Sequence, residues 1–124
     1  MANILVVDDE PDLRRYLADE LRDEGYSADM AADGVDAVLR VIDGGIDVVL
    51  MDIRMPRLDG LNALRILRRL APNLPVIMFT GQAGQGDMLE TARLGALTCL
   101  LKPVNVERLR EVIAQAVKRS PARA

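Results

Sequence analysis

Val48-Val49-Leu50-Met51-Asp52 sets four apolar residues directly before a carboxylate. An unbroken apolar run of this length reads as a strand buried on both faces. A charge at its end is costly to bury without a partner, so Asp52 is expected at the open C-terminal edge of that strand. Ile4-Leu5-Val6-Val7 repeats the pattern and runs into Asp8-Asp9. Two buried strands that deliver Asp8, Asp9 and Asp52 predict one acidic site at a sheet edge.

Strand and helix signals alternate outward from this stretch. After the strand at 4–7, Pro11 suits the first turn of a helix. Leu13, Leu17 and Leu21 recur at helical spacing, with Tyr16 expected on the same side and Gly25 as the stop. Residues 26–31 read as a weaker, edge-like strand. Asp33 can cap a second helix with Ala37, Val38, Val41 and Ile42 inward, ended by Gly44-Gly45. The central strand is expected over 46–51, and Pro56 and Gly60 mark the following loop. A third helix carries Leu61, Leu64, Leu67 and Leu70 inward, with Arg65, Arg68 and Arg69 toward water. Pro72 and Pro75 break it. The strand at 76–79 ends in Thr80, and Gly81, Gly84 and Gly86 make the next loop pliable. A short helix over 88–94 closes at Gly95. The strand at 98–101 ends in Lys102-Pro103. Asn105 can cap a last helix with Leu109, Val112, Ile113 and Val117 inward, and 120–124 read as a frayed tail.

This alternation calls for a parallel sheet with helices on both faces and right-handed crossovers. Ligands of such sheets bind outside the carboxyl ends of the strands. Here those ends carry Asp8-Asp9, Asp52, Thr80 and Lys102. Cys99, Met51, Met55, Met78 and Met88 read as packing residues, and Asp59-Gly60 as a turn and helix start.

Composition narrows the function classes. The chain has 124 residues, half of them hydrophobic, which suits one domain with a real core. A net charge of −3 gives no general pull toward nucleic acid or an acidic membrane. The single cysteine leaves no intramolecular disulfide, and the absence of histidine removes His-based catalysis and His metal ligands. No stretch is long enough to span a bilayer, and Asp8-Asp9-Glu10 interrupts any signal-like apolar run. A cytoplasmic protein without a second domain is expected.

The rim residues suggest a chemistry. Crowded carboxylates repel one another, and one would keep its proton unless a cation joined them. Oxygen ligands without His or Cys favour a hard cation such as Mg²⁺. With Lys102 on the other side, a dianionic phosphoryl group fits between. Asp52 could receive it as nucleophile, and Thr80 could donate its hydroxyl to a phosphoryl oxygen.

The order Val-Val-Asp-Asp-Glu, Met-Asp-Ile-Arg-Met-Pro, Phe-Thr-Gly and Leu-Lys-Pro resembles the receiver domain of two-component response regulators, and the length is similar to the single-domain, chemotaxis-type members. The resemblance runs nearly the whole chain. It implies a flavodoxin-like, doubly wound α/β fold with five parallel strands in the order 2-1-3-4-5, five helices and three layers, over residues 1–119. It implies phosphorylation of Asp52 by a sensor histidine kinase or histidine phosphotransfer protein. It also implies Mg²⁺ held by Asp8, Asp9, Asp52 and the backbone carbonyl of Arg54. Thr80 and Lys102 take the switch and phosphoryl-contact roles, and the Lys102–Pro103 bond is cis. A downstream protein target or a homodimer is expected through strand five and the last two helices. Direct DNA binding is not expected, because the chain stops after the last helix; it either acts alone or is a fragment of a longer regulator.

Two positions depart from the family pattern. Cys99 stands where Tyr or Phe is usual, so the common aromatic switch cannot operate, and readout through Thr80 and the glycine-rich loop is expected. Phe79 lies on the opposite strand face from Thr80. Arg54, two residues after Asp52, either shields an acyl phosphate or helps hold its charge, and Gln82 either orients or blocks the attacking water. Rival readings are weaker. A haloacid-dehalogenase-type phosphatase wants Asp-x-Asp, but Ile53-Arg54 follows Asp52. A flavin module would have its cofactor phosphate repelled by Asp8-Asp9-Glu10. A pseudo-receiver would not need the full acceptor set. A signalling protein that transforms no separate substrate is therefore expected, rather than an enzyme.

Overall fold

The computed structural model describes residues 1–81 and 85–121. Strands β1 (Asn3–Val7), β2 (Ser27–Ala31), β3 (Val48–Asp52), β4 (Val76–Thr80) and β5 (Thr98–Leu101) form one sheet in the order β2-β1-β3-β4-β5. Every pairing is parallel. Helices α1 (Pro11–Asp23), α2 (Gly34–Ile42), α3 (Gly60–Leu70), α4 (Gln85–Arg93) and α5 (Val106–Arg119) make the crossovers. The expected flavodoxin-like α/β topology is the one found.

The alternation of side chains along each strand builds two cores. Ile4, Val6, Val48, Leu50, Ile77 and Phe79 pack with Leu17 and Leu21 of α1 and with Leu109 and Ile113 of α5. The residues between them, Leu5, Val7, Val49, Met51, Val76 and Met78, pack with Ala37 of α2 and with Ala63, Leu64 and Leu67 of α3. Both faces of β1, β3 and β4 are covered, which is why these strands read as apolar runs. Burying each large aliphatic chain contributes about 1.5–3 kcal/mol.

The structure corrects several boundaries and orientations. β3 begins at Val48, not at 46: Asp47 Oδ2 instead accepts the Asn3 N–H at 2.7 Å. α4 begins at Gln85 rather than 88. Tyr16 is exposed, because it lies about 100° around α1 from Leu17. Ile42 is exposed too, roughly 140° from the buried Ala37. Val38 and Val41 flank Ala37 half-buried, and Val117 is half-buried while Ala116 takes the inner position. Leu70, in the last turn of α3, is also exposed. Arg68 does not point to water. Its guanidinium folds back to donate to Pro72 O at 2.9 Å and to Leu74 O, closing the C-terminal end of α3. Burial lowers its pKa. Ser120 is buried, with its N–H on Val117 O, and 122–124 of the expected tail lie outside the described residues.

The helix caps are the expected ones. Asp33 Oδ1 accepts the Asp36 N–H at 2.9 Å, and Asn105 Oδ1 accepts the Arg108 N–H at 2.9 Å. Asp33 has a second task. Arg57 donates Nε to its Oδ2 at 2.7 Å and Nη2 to its Oδ1 at 3.0 Å, which holds the Asp33 pKa below its ordinary value. This fork ties the β3–α3 loop to the start of α2, with Arg57 itself at φ 64. Asp33→Ala is expected to lower stability by about 1–2 kcal/mol through the lost cap. Urea unfolding would measure it, and an unchanged midpoint would contradict the role given to Asp33.

Candidate functional site

Strand register brings the polar strand ends to one level. Val7 pairs with Met51, Asp52 with Phe79, and Thr80 with Leu101. Asp8, Asp52, Thr80 and Lys102 therefore follow or end neighbouring strands along a single C-terminal rim. Asp8 and Thr80 are wholly buried, Asp52 is nearly so, and Asp9 is exposed. One carboxylate oxygen from each of Asp8, Asp9 and Asp52 lies within 4.8 Å of the others.

Lys102 closes the opposite side. Its Nζ donates to Asp52 Oδ2 at 2.9 Å and stands 3.2 Å from Asp8 Oδ2 and 3.6 Å from Glu10 Oε1. The ammonium also lies 5.2 Å from the Phe79 ring centre, a cation–π contact from the core beneath. Burial alone would lower its pKa. The hydrogen bond and charge of Asp52, backed by Asp8, outweigh burial and raise it. The Lys102–Pro103 bond is cis.

The remaining acceptor positions are divided by backbone donors. The Arg54 N–H binds Asp52 Oδ1 at 3.1 Å, and the Glu10 N–H binds Asp8 Oδ1 at 2.8 Å. Asp8 Oδ2 is buried and accepts no hydrogen bond; its contact with Lys102 is an ion pair without hydrogen-bond geometry. Burial pushes the Asp8 carboxyl up to about 6, with the Glu10 N–H pulling it down, the Asp52 charge adding to the rise, and Lys102 opposing. The residues fit a hard divalent cation. The donors are all oxygen, one of them is an unsatisfied buried carboxylate oxygen, and a mouth lined by Asp9, Glu10, Asp52, Arg54, Gly81 and Lys102 opens to solvent.

The raised Asp8 pKa has a signed consequence. In the metal-free protein the folded state holds its proton up to about pH 6, against 3.8 for the ordinary group. That stabilisation is complete below the unfolded value and is lost as pH rises through about 6. A cation competes with the same proton. The thermal upshift produced by Mg²⁺ is therefore expected to be large at pH 7.5 and small at pH 5. An equal upshift at both values in melting curves would contradict a cation site that includes Asp8.

Some residues of the site were not legible beforehand. Asp59-Gly60 is more than a turn. Asp59 Oδ1 caps α3 through the Asn62 N–H, and the Gly60 N–H binds Ile53 O at 2.8 Å. A Cβ on Gly60 would meet Asp52 O at 2.1 Å, so only glycine lets α3 start against the backbone of Asp52. Glu10 joins Lys102 at the mouth, and Asp87 of α4 receives the Arg54 guanidinium. Glu10 belongs to the Asp8-Asp9-Glu10 run, but its meeting with Lys102, like that of Arg54 with Asp87, depends on how separate elements approach. Gln82 and Gly84 lie outside the described residues.

Residues 4–114 match the family model of the response regulator receiver domain. The chain belongs to the response-regulator receiver family. The family is one of two-component signal transduction in which a phosphoryl group is accepted, and the similar proteins include a sensor histidine kinase and a chemotaxis protein. This receiver is 40% identical over 116 residues to the sensor histidine kinase RcsC of Salmonella typhi, matching 94% of this chain and 12% of that protein. The chain thus spans about an eighth of that relative's length. Among solved structures, a CheY-like receiver domain protein from Methanospirillum hungatei superposes with a TM-score of 0.94 at 27% identity, covering 100% of this chain and 99% of that one. The CheX–CheY–BeF3–Mg²⁺ complex from Borrelia burgdorferi contains a chain with a TM-score of 0.87 at 29% identity, covering 92% of this receiver and 87% of that chain.

Proposed function

We propose that Asp52 is the phosphoacceptor of this receiver and that Asp8, Asp9, Asp52 and the Arg54 backbone carbonyl hold Mg²⁺ beside it. The observation that carries the reading is the Lys102 Nζ at 2.9 Å from a buried Asp52, with two further aspartates in reach of one cation. Bound Mg²⁺ would neutralise the crowded acids and draw charge from the phosphoryl oxygens. An Asp52 carboxylate oxygen attacks the phosphorus of a phosphohistidine. The new O–P bond forms as the P–N bond breaks, and the departing imidazole takes up a proton. Lys102 turns from Asp52 and Asp8 toward the oxygens of the transferred group, and the Thr80 hydroxyl donates to another of them.

The donor in this reading is a sensor histidine kinase or a histidine phosphotransfer protein, met in the cytoplasm. The output is a changed surface on α4, β5 and α5, offered to a protein target or a second copy of the chain, with no direct DNA contact. The protein signals rather than turning over a substrate: Ile53-Arg54 leaves no acid after Asp52 of the kind a phosphatase of this chemistry uses. No helix among the described residues is long and apolar enough to cross a membrane.

Acetyl phosphate supplies the test without a kinase. With Mg²⁺, the parent protein is expected to gain the mass of one phosphoryl group. Asp52→Asn, or chelation of the metal, is expected to abolish the gain. An equal gain in Asp52→Asn would remove Asp52 from the role.

A further inference from the structure

Arg54 bridges two elements. Its backbone N–H is on Asp52 Oδ1, and its side chain lines the mouth of the acidic site. The guanidinium then reaches away to the first turn of α4, where Nη2 lies 2.5 Å from Asp87 Oδ2. The arginine side chain is 65% exposed and that of Asp87 19%, so an exposed cation is paired with a more enclosed carboxylate. Asp87 thus joins the first turn of α4 to Arg54, which lines the mouth.

Phosphorylation alters the charge on only one side of this arginine. An acyl phosphate at Asp52 carries about one more negative charge than the carboxylate and offers several strong acceptors. A guanidinium pairs with such a group in a two-pronged geometry that a lone carboxylate oxygen does not match. We propose that Asp87 is a positioning residue for the phosphoryl site: it holds Arg54 aside in the resting protein, and a phosphoryl group on Asp52 takes the guanidinium from it. The inference rests on the assignment of Asp52 as acceptor and adds the residue that competes with it.

Two consequences follow from the geometry. In the resting protein the mouth stays open to a donor, while the Arg54–Asp87 pair ties α4 to the β3–α3 loop. After transfer, Arg54 closes over the phosphoryl group, and the first turn of α4 loses its tie. Met88, Thr91, Ala92 and Cys99 line an open groove between α4 and β5. Charge exchange at Arg54 thus carries the signal to α4 in a chain with a cysteine at position 99.

The test is a mutant cycle on the intact protein. Parent, Asp87→Asn, Asp87→Glu, Arg54→Ala and the double variant Arg54→Ala/Asp87→Asn are phosphorylated with acetyl phosphate and Mg²⁺, and loss of the phosphoryl group is followed by intact mass. Releasing Arg54 from an exposed pair of this kind should lengthen the phosphoryl half-life by about two- to fivefold in Asp87→Asn. Asp87→Glu should behave as the parent, and Asp87→Asn should have no effect once Arg54 is alanine. Amide exchange over residues 86–95 should quicken in the parent on adding beryllofluoride and Mg²⁺, and should already be quick in Asp87→Asn without them. A half-life unchanged in Asp87→Asn, or changed equally with and without Arg54, overturns the positioning role while leaving Asp52 as acceptor. Absence of phosphoryl uptake in the parent overturns both assignments.

Discussion

Lys102→Ala is expected to remove phosphoryl uptake and to destabilise the metal-free protein at neutral pH. The amine is the only cation contacting Asp52 and Asp8 among the described ion pairs. Without it, two buried carboxylates face each other with nothing between them. The cost should be about 2–3 kcal/mol, below the roughly 3–5 kcal/mol of a fully enclosed pair, because the mouth admits solvent. The sign of its pH dependence is fixed by Asp8, whose pKa is already about 6. Removing Lys102 removes an interaction that lowers that pKa, so Asp8 would hold its proton to still higher pH. The destabilisation should therefore be greatest above about pH 6 and shrink in acid. Mg²⁺ should restore much of the stability but not the rate of phosphoryl uptake. Unfolding curves at pH 5 and 7.5, with and without Mg²⁺, separate these effects. A loss of stability that grew on acidification would contradict the arrangement.

Gly60→Ala should be among the most damaging small substitutions at the described residues. The added methyl would stand 2.1 Å from Asp52 O and 2.8 Å from the Ile53 Cα. Both obstacles are backbone, so no side-chain rotation relieves them. The start of α3 must move from β3, at a cost of about 3 kcal/mol or more. Phosphoryl uptake should fall as well, because the displaced backbone is that of Asp52, the proposed acceptor. Gly44 provides the contrast. It has φ 88, but a Cβ there meets nothing within 4 Å. Gly44→Ala should cost only about 1–2 kcal/mol from the left-handed backbone and leave phosphorylation intact. Equal stability of Gly60→Ala and the parent would show that the approach of α3 to Asp52 is looser than described.

Gly60 marks where sequence reasoning stops. The fold was legible because its signals are local and mutually consistent. Apolar runs such as 4–7 and 48–51 require cover on both faces, and the intervening helical stripes supply it. The rim was legible for the same reason: Asp8, Asp52, Thr80 and Lys102 end such runs, and in a parallel sheet those ends meet on one side. Even the wrong orientations have a local cause. Tyr16 and Ile42 are apolar enough to suggest the core, yet their angular position on α1 and α2 turns them outward. Gly60 and Asp87 are different. The first matters because the start of α3 turns back to press on the backbone at the end of β3, and the second because Asp87 of α4 pairs with Arg54 of the β3–α3 loop. Neither approach leaves a periodicity or a motif to read. Arg68 likewise resembled its solvent-facing neighbours until the return of the chain at Leu74 gave it carbonyl partners.

The central claim is that one carboxylate, Asp52, receives the phosphoryl group at the rim shared with Asp8, Asp9 and Lys102. Borohydride reduces an aspartyl phosphate to homoserine, which marks the modified residue by mass. Protein treated with acetyl phosphate and Mg²⁺, then reduced and digested, should show homoserine at position 52 and nowhere else. Homoserine at Asp8, Asp9 or another carboxylate, or none at all in protein that had gained phosphoryl mass, would contradict it.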